Sequence, residues 1–362
     1  MGTRWLAVLL VVAALAAGCQ GPAPAQPASS AAPAAAPVPA AAASAAPAAL
    51  ASPEPPLEVR VAHAGLTPNV AAVWVAADLG FDRDYGVRID VHRTRTAALS
   101  QAALLAGEID YAWTGLAPML GARAGGSDVV FVGATTNRSS AELVVRPPLR
   151  RPEELVGKTF GIQSFGGPPH IRTLQTLARL GVDPSSVTIL IVGDEAVTTA
   201  ALLEGAIDGA SISYTAAAEP KARGYQSWDL MALGIPEITG IVGLAPYVRE
   251  HPEPTRRLLR ALARANTYIK TINTSDEARQ RVGEVVAAHL QQPVEAALLS
   301  LDQVRETLPA DLRVNADEAR ELQAFVGSVT PGVQDLRLED WLDQSALDDL
   351  EREGFFARLG LR

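Results

Sequence analysis

The sequence holds 362 residues, 48% apolar, 20% charged and 5% aromatic, a length suited to more than one domain and a globular balance. With 31 basic against 40 acidic residues the formal charge is −9, which argues against a nucleic-acid binder, whose basic face must displace counterions from phosphate. The single cysteine, Cys19, excludes internal disulfides, CxxC redox pairs and cysteine-based zinc sites.

Arg4 precedes an apolar run over 5–17 that closes on Gly18 and Cys19. A charged start, a short apolar stretch and small residues ahead of a cut are the pattern of a secretory signal, expected here over 1–18. The run is too short to cross a hydrocarbon core about 30 Å thick as a helix. Leu15-Ala16-Ala17-Gly18-Cys19 resembles the lipobox of bacterial lipoproteins, with Ala16 where leucine is most usual. Cys19 is therefore expected to accept lipid and tether the chain to the extracytoplasmic side of a membrane; an ordinary cut nearby is the alternative. Residues 19–56 are almost wholly Ala, Pro and Ser, which cannot bury enough side chain to offset their ordering entropy. They read as a disordered linker, reaching roughly 30–35 Å as a coil.

The folded body opens with alternating residues over 57–63, a strand, followed by a loop in which Asn69 is placed to cap a helix over 70–79 ended by Gly80. A strand over 87–91, a helix over 99–106 stopped by Gly107, and a strand over 109–113 leading to Thr114-Gly115 complete a βαβαβ unit. That order predicts a parallel sheet whose ligands lie beyond the carboxyl ends of the strands. Ala103-Leu104-Leu105-Ala106-Gly107-Glu108-Ile109-Asp110 recurs 98 residues later as Ala201-Leu202-Leu203-Glu204-Gly205-Ala206-Ile207-Asp208. The spacing is too long for a solenoid and fits two similar lobes. The proline- and arginine-rich stretch 146–152 reads as the crossover into lobe two, with a return near 240–243. The expected division is 57–145 plus 241–362 for lobe one and its C-terminal helices, and 146–240 for lobe two. In lobe two, a strand over 155–162 leads through Ser164-Phe165-Gly166-Gly167-Pro168-Pro169 to a helix over 170–180. An amphipathic helix over 256–271 puts Leu258, Leu259, Leu262 and Ala265 on one face.

The glycine-rich turn is the strongest binding candidate. Glycines let a backbone approach a ligand, and a helix N-terminus offers unpaired N–H groups and a positive dipole end, so Ser164, Gly166 and Gly167 are expected to meet an anionic or strongly polar head. It lacks both the Walker and the GxGxxG spacing, and a plain tight turn is the alternative. Thr67, Asn69, Thr114, Gly115, Thr136, Asn137, Ser213 and Tyr214 are small or polar residues near predicted strand ends in both lobes, able to hydrogen-bond a small ligand; capping, turn closure and packing are their local alternatives. The five histidines show no HExxH or HxH spacing and no GxSxG elbow occurs, so no metal, no cofactor and no catalytic residue is expected. Asp110 and Asp208 each open a strand in their own lobe, which argues against a shared acid/base pair. Trp74 reads as core.

These motifs together resemble one family. The helix running to Leu79-Gly80-Phe81, the stretch LLAGEIDYAWTGLAP (104–118), PEELVGKTFGI (152–162) and LLEGAIDGASI (202–212) are similar, in order and spacing, to the bacterial ABC-transporter substrate-binding proteins of the nitrate/sulfonate/taurine and thiamine-precursor type. The resemblance covers 57–286. It implies a type II periplasmic-binding-protein fold, two Rossmann-like α/β lobes on a hinge with extra C-terminal helices. It also implies capture of a small polar or anionic organic solute for delivery to an ABC permease, by a chain expected to be a monomer and not an enzyme. Two departures stand out. Where sulfonate binders carry a Trp-Asp-Pro-like segment, this chain has Ser213-Tyr214-Thr215, and it lacks the cysteine-rich motif of the eukaryotic pyrimidine-synthesising relatives. A ligand-sensing module feeding a membrane receptor is the alternative function.

Overall fold

The computed structural model describes residues 55–361, so the expected signal, Cys19 and nearly all of the linker lie outside the described residues. Two five-stranded mixed sheets organise the chain. The first takes β1 (Leu57–His63), β2 (Val87–Arg93), β3 (Tyr111–Gly115), β4 (Val129–Arg138) and β10 (Pro236–Leu244) in the order β2-β1-β3-β10-β4. The second takes β5 (Ala141–Val145), β6 (Thr159–Ile162), β7 (Thr188–Ile191), β8 (Gly209–Ser213) and β9 (Gln226–Asp229) in the order β7-β6-β8-β5-β9. In each, three strands are parallel, as the βαβ reading required. The strands that cross between lobes, β10 and β5, run antiparallel to their neighbours, so neither sheet is the all-parallel one expected.

In lobe one, α1 (Ala71–Asp78) covers one face of the sheet, and α2 (Ala97–Leu105) and α3 (Leu116–Ala124) the other. In lobe two, α4 (Pro168–Arg179) covers one face, and α5 (Glu195–Leu203) and α6 (Tyr214–Ala222) the other. The later helices α7 (Ala245–Glu250), α8 (Pro252–Thr271), α9 (Asp276–Leu290), α10 (Val294–Val304) and α11 (Ala316–Val329) return to lobe one, where Leu258, Leu259, Leu262 and Ala265 are fully buried along the stripe the sequence showed. None of the described helices is long and apolar enough to cross a membrane.

The crossings fall elsewhere than expected. The first lies at Ser139-Ser140, because Ala141–Val145 already pairs with β8 and β9 in the second sheet. Arg146 comes after that strand, and its guanidinium binds Asp208 of the same lobe at 2.7 Å rather than bridging lobes. The return lies over 230–235, since β10 fills the gap between β3 and β4, with Gly240 opposite Thr114. Gly240, expected on the return crossing, instead serves packing within the sheet: a Cβ there would sit 2.1 Å from the Gly133 carbonyl oxygen. A smaller correction concerns α1. Thr67, not Asn69, caps the helical turn that leads into it, its Oγ1 accepting from the Asn69 N–H at 3.4 Å.

Candidate functional site

The carboxyl ends of the parallel strands in both sheets bear the loops that lead into α1, α3, α4, α5 and α6. The lobes touch on two flanks of this region. On one, the first turns of α4 reach across: Ile171 packs into the core of lobe one, and a Cβ built on Gly115 would lie 3.6 Å from Cγ of Pro168. The Arg172 guanidinium donates to Ser211 Oγ at 2.9 Å within its own lobe and reaches Glu237 Oε2 at 3.5 Å at the start of β10 in lobe one. That same oxygen accepts from Ser139 Oγ at 2.7 Å on the first crossing, so one carboxylate on β10 joins α4 to the first crossing. On the other flank, Thr215 of α6 donates to Gln303 of α10 at 3.2 Å. A small recess of about 20 Å³ lies beside the first flank, lined by residues of both lobes including Gly115, Pro168, Arg172, Gln175 and Glu237.

Of the residues expected to bind ligand, Gly115 and the glycine-rich turn meet across the lobes. Gly115 caps α3 without a side chain and Gly167 caps α4 without a side-chain hydrogen bond, so two helix N-termini, one per lobe, converge. The turn is less open than its composition suggests. Gly166, at φ +74°, donates its N–H to His170 Nδ1 at 3.0 Å, the Gly167 N–H leans on the Ser164 carbonyl at 3.4 Å, and Pro168 and Pro169 have no N–H. Free backbone donors are thus scarcer on α4 than on α3, where Leu116 and Ala117 open the helix. Ser164 and Gly166 are exposed at the lip, and Thr114 is half-buried at the end of β3.

Ser213 and Tyr214 are committed within lobe two. The Ser213 N–H and Oγ both donate to the Glu195 carboxylate at 2.8 Å, and Ser213 Oγ caps Ala216. Tyr214 donates to Asp229 at 2.8 Å; burial and that carboxylate push its phenol well above its ordinary range. Glu195 therefore occupies the N-terminus of α6 with an exposed negative charge that no described cation pairs. Asn137 goes elsewhere: its amide donates to the Arg313 carbonyl at 2.9 Å, and it lines a separate polar groove of about 200 Å³ with Arg138, Glu306 and Glu318. Thr136 is fully buried against Thr239 Oγ1 at 2.7 Å. Asn69 stays in the site region, 7% exposed, with its Oδ1 unpartnered.

Sequence reasoning missed Glu195, Arg172 and Glu237. Glu195 had a signal, since the 98-residue echo aligns it with Ala97, the first residue of α2. Arg172 and Glu237 lie 65 positions apart, with no local signature. No described His, Cys, Asp or Glu residues form a group able to hold a metal.

Comparison with known proteins gives three results. The model of the family described as NMT1/THI5 like matches residues 67–277, more than half of the chain. The taurine-binding periplasmic protein of Escherichia coli strain K12 is 29% identical over 155 residues, 42% of this chain and 48% of that protein, so the match spans about half the relative's length. Among solved structures, the alkanesulfonate-binding protein SsuA of Xanthomonas axonopodis pv. citri, bound to MOPS, superposes with a TM-score of 0.63 at 19% identity, over 80% of this chain and 99% of that one. The periplasmic nitrate-binding protein NrtA of Synechocystis PCC 6803 gives 0.58 at 15% identity, over 83% and 89%. At these identities the structural likeness speaks for the fold, two α/β lobes of the periplasmic-binding type.

Proposed function

We propose that this chain, which belongs to the NMT1/THI5-like family, is the extracytoplasmic solute-binding component of an ABC importer. It captures a small polar or anionic organic solute between its lobes and hands it to a separate permease, without transforming it. The observation that carries the reading is the convergence of the N-termini of α3 and α4, one from each lobe, around Gly115 and Pro168. Helix N-termini without side-chain caps present positive dipole ends that favour a negative group, and a ligand held by both lobes favours the closed form because it binds that form better.

Within that class, Glu195 supports a solute that also carries a protonated amine. Its carboxylate is held by two hydrogen bonds at the carboxyl edge of the second sheet, where a simple inorganic anion would be repelled. Calorimetric titration with taurine, ethanesulfonate, nitrate and an aminopyrimidine of the thiamine-precursor type tests the assignment. Binding of an organic member of the panel without turnover supports it; no binding by any member, or consumption of a bound compound, overturns it.

Attachment to a membrane through lipidated Cys19 belongs to the same proposal and rests on the Leu15–Cys19 stretch alone. Cys19→Ser is expected to release the protein from membrane fractions, and retention like wild type contradicts the anchor.

A further inference from the structure

His63 ends β1 with its ring 2% exposed, and both ring nitrogens are used. Nε2 lies 3.2 Å from Trp74 Nε1. An indole nitrogen only donates, so Nε2 must accept and the ring proton must sit on Nδ1. From there it donates to the carbonyl oxygen of Gly65 at 3.0 Å. Burial keeps the ring in this neutral state by pushing its pKa down to about 4, aided by the nearby charges of His289 and Arg93. Behind the ring, Trp74 is fully buried and stacks flat on His289 at 4.7 Å, whose Nε2 meets Asp78 at 2.9 Å. The imidazole thus joins a rigid core column on one side to a loop on the other.

That loop, 64–69, spans the edge of lobe one between β1 and α1. Beyond Gly65, Thr67 receives the Asn69 N–H on its side chain and the Val70 N–H on its carbonyl, and the 68–70 turn also packs against α10 and β4. The loop delivers Asn69, whose buried Oδ1 has no partner. A buried amide oxygen costs free energy until a donor reaches it.

We propose that His63 is a positioning residue for solute binding, fixing the 64–69 loop through the Nδ1–H···O=C bond to Gly65 so that Asn69 is held ready for the ligand. This rests on the solute-binding reading above. The two hydrogen bonds of the ring can be separated by substitution. In His63→Asn the amide nitrogen takes the place of Nδ1 and keeps the loop bond while losing Trp74. In His63→Gln the amide reaches the Nε2 place, keeping Trp74 and losing the loop.

Hydrogen exchange of the 64–70 amides in unliganded protein, read beside calorimetric affinity for taurine and ethanesulfonate, distinguishes the roles. For His63→Asn, exchange and affinity are expected within about threefold of wild type. For His63→Gln, exchange is expected to rise and affinity to fall, each by about tenfold, the worth of one hydrogen bond. Gln matching wild type in both readouts, or Gln loosening the loop without weakening binding, overturns the proposal. So does Asn behaving as badly as Gln, because the ring would then act as core packing. If wild-type protein binds neither probe, the solute assignment falls by itself, and the exchange comparison still decides whether His63 holds the loop.

Discussion

Asp110 and Asp208 hold the same place in the two lobes, 98 residues apart in the chain. The carboxylate of Asp110 accepts the backbone N–H of Arg60 at 2.8 Å and the guanidinium of the same residue at 2.8 Å. Asp208 accepts the N–H of Thr159 at 2.9 Å and the guanidinium of Arg146 at 2.7 Å. The surrounding elements keep that spacing: α2 and α5, β3 and β8, and α3 and α6 start and stop in register. An acidic residue just ahead of β3 or β8 pins the neighbouring strand and an arginine at once, which is why the Ile-Asp pair recurs in both lobes.

Burial works against the charged form of Asp208, but the Thr159 N–H and Arg146 outweigh it and hold the carboxyl below its usual range. The group therefore adds stability that is complete above the carboxylate range and lost as pH falls through its lowered pKa, below about pH 4. Asp208→Asn is expected to cost about 1–3 kcal/mol at neutral pH by urea unfolding, with the deficit narrowing in acid. An unchanged midpoint at pH 7 would contradict the strand-pinning role.

His63 gives a second pH dependence of opposite origin. Its folded pKa, about 4, lies below the ordinary 6.5, so the unfolded chain takes up the proton first. Its contribution is full above pH 6.5, is lost between 6.5 and 4, and levels off below that. At about 1.4 kcal/mol per pKa unit the whole loss is about 3 kcal/mol. Thermal unfolding of wild type against His63→Asn should show the gap shrinking across that window; a constant gap contradicts the buried neutral imidazole.

Glu195 is expected to set preference rather than affinity alone. Glu195→Gln removes the negative charge while leaving an amide to bond Ser213. Taurine affinity should fall by about three- to fivefold, the range for one exposed charge pair, and ethanesulfonate should not weaken. Equal changes for both ligands would place Glu195 outside the solute's reach.

Glu237, just after the return crossing, ties β10 to α4 through Arg172 and to the first crossing through Ser139. Glu237→Gln should lower stability by about 1–3 kcal/mol, since it leaves a mostly buried guanidinium without its counter-charge. It should also enlarge the unliganded protein in small-angle scattering as the lobes part. A variant with wild-type size and stability would show that the carboxylate does not clasp the hinge.

The lobes themselves were legible in the sequence because their signals are local. Alternation over 57–63, helix-ending glycines such as Gly80 and Gly107, and the repeated Ile-Asp pair each report on a few neighbouring residues. The crossings were not, since Ala141–Val145 and Pro236–Leu244 are short strands whose partners lie far off in sequence, while the proline-rich 146–152 stretch imitates a linker. Position in the site followed the same rule. Gly115 and the Ser164–Gly167 turn are proposed from composition at a strand-to-helix junction. That His170 takes the Gly166 N–H, and that Asn137 turns to Arg313, depends on contacts composition does not encode.

The central claim is that a small organic solute is held by both lobes. Hydrogen exchange with and without saturating taurine, or whichever panel compound titrates, tests it most directly. The account predicts slowed exchange on both sides of the gap at once, in 64–70 and 114–117 of lobe one and in 163–171 and 213–216 of lobe two. Protection confined to one lobe, or to the groove around Asn137 and Glu306, would contradict it.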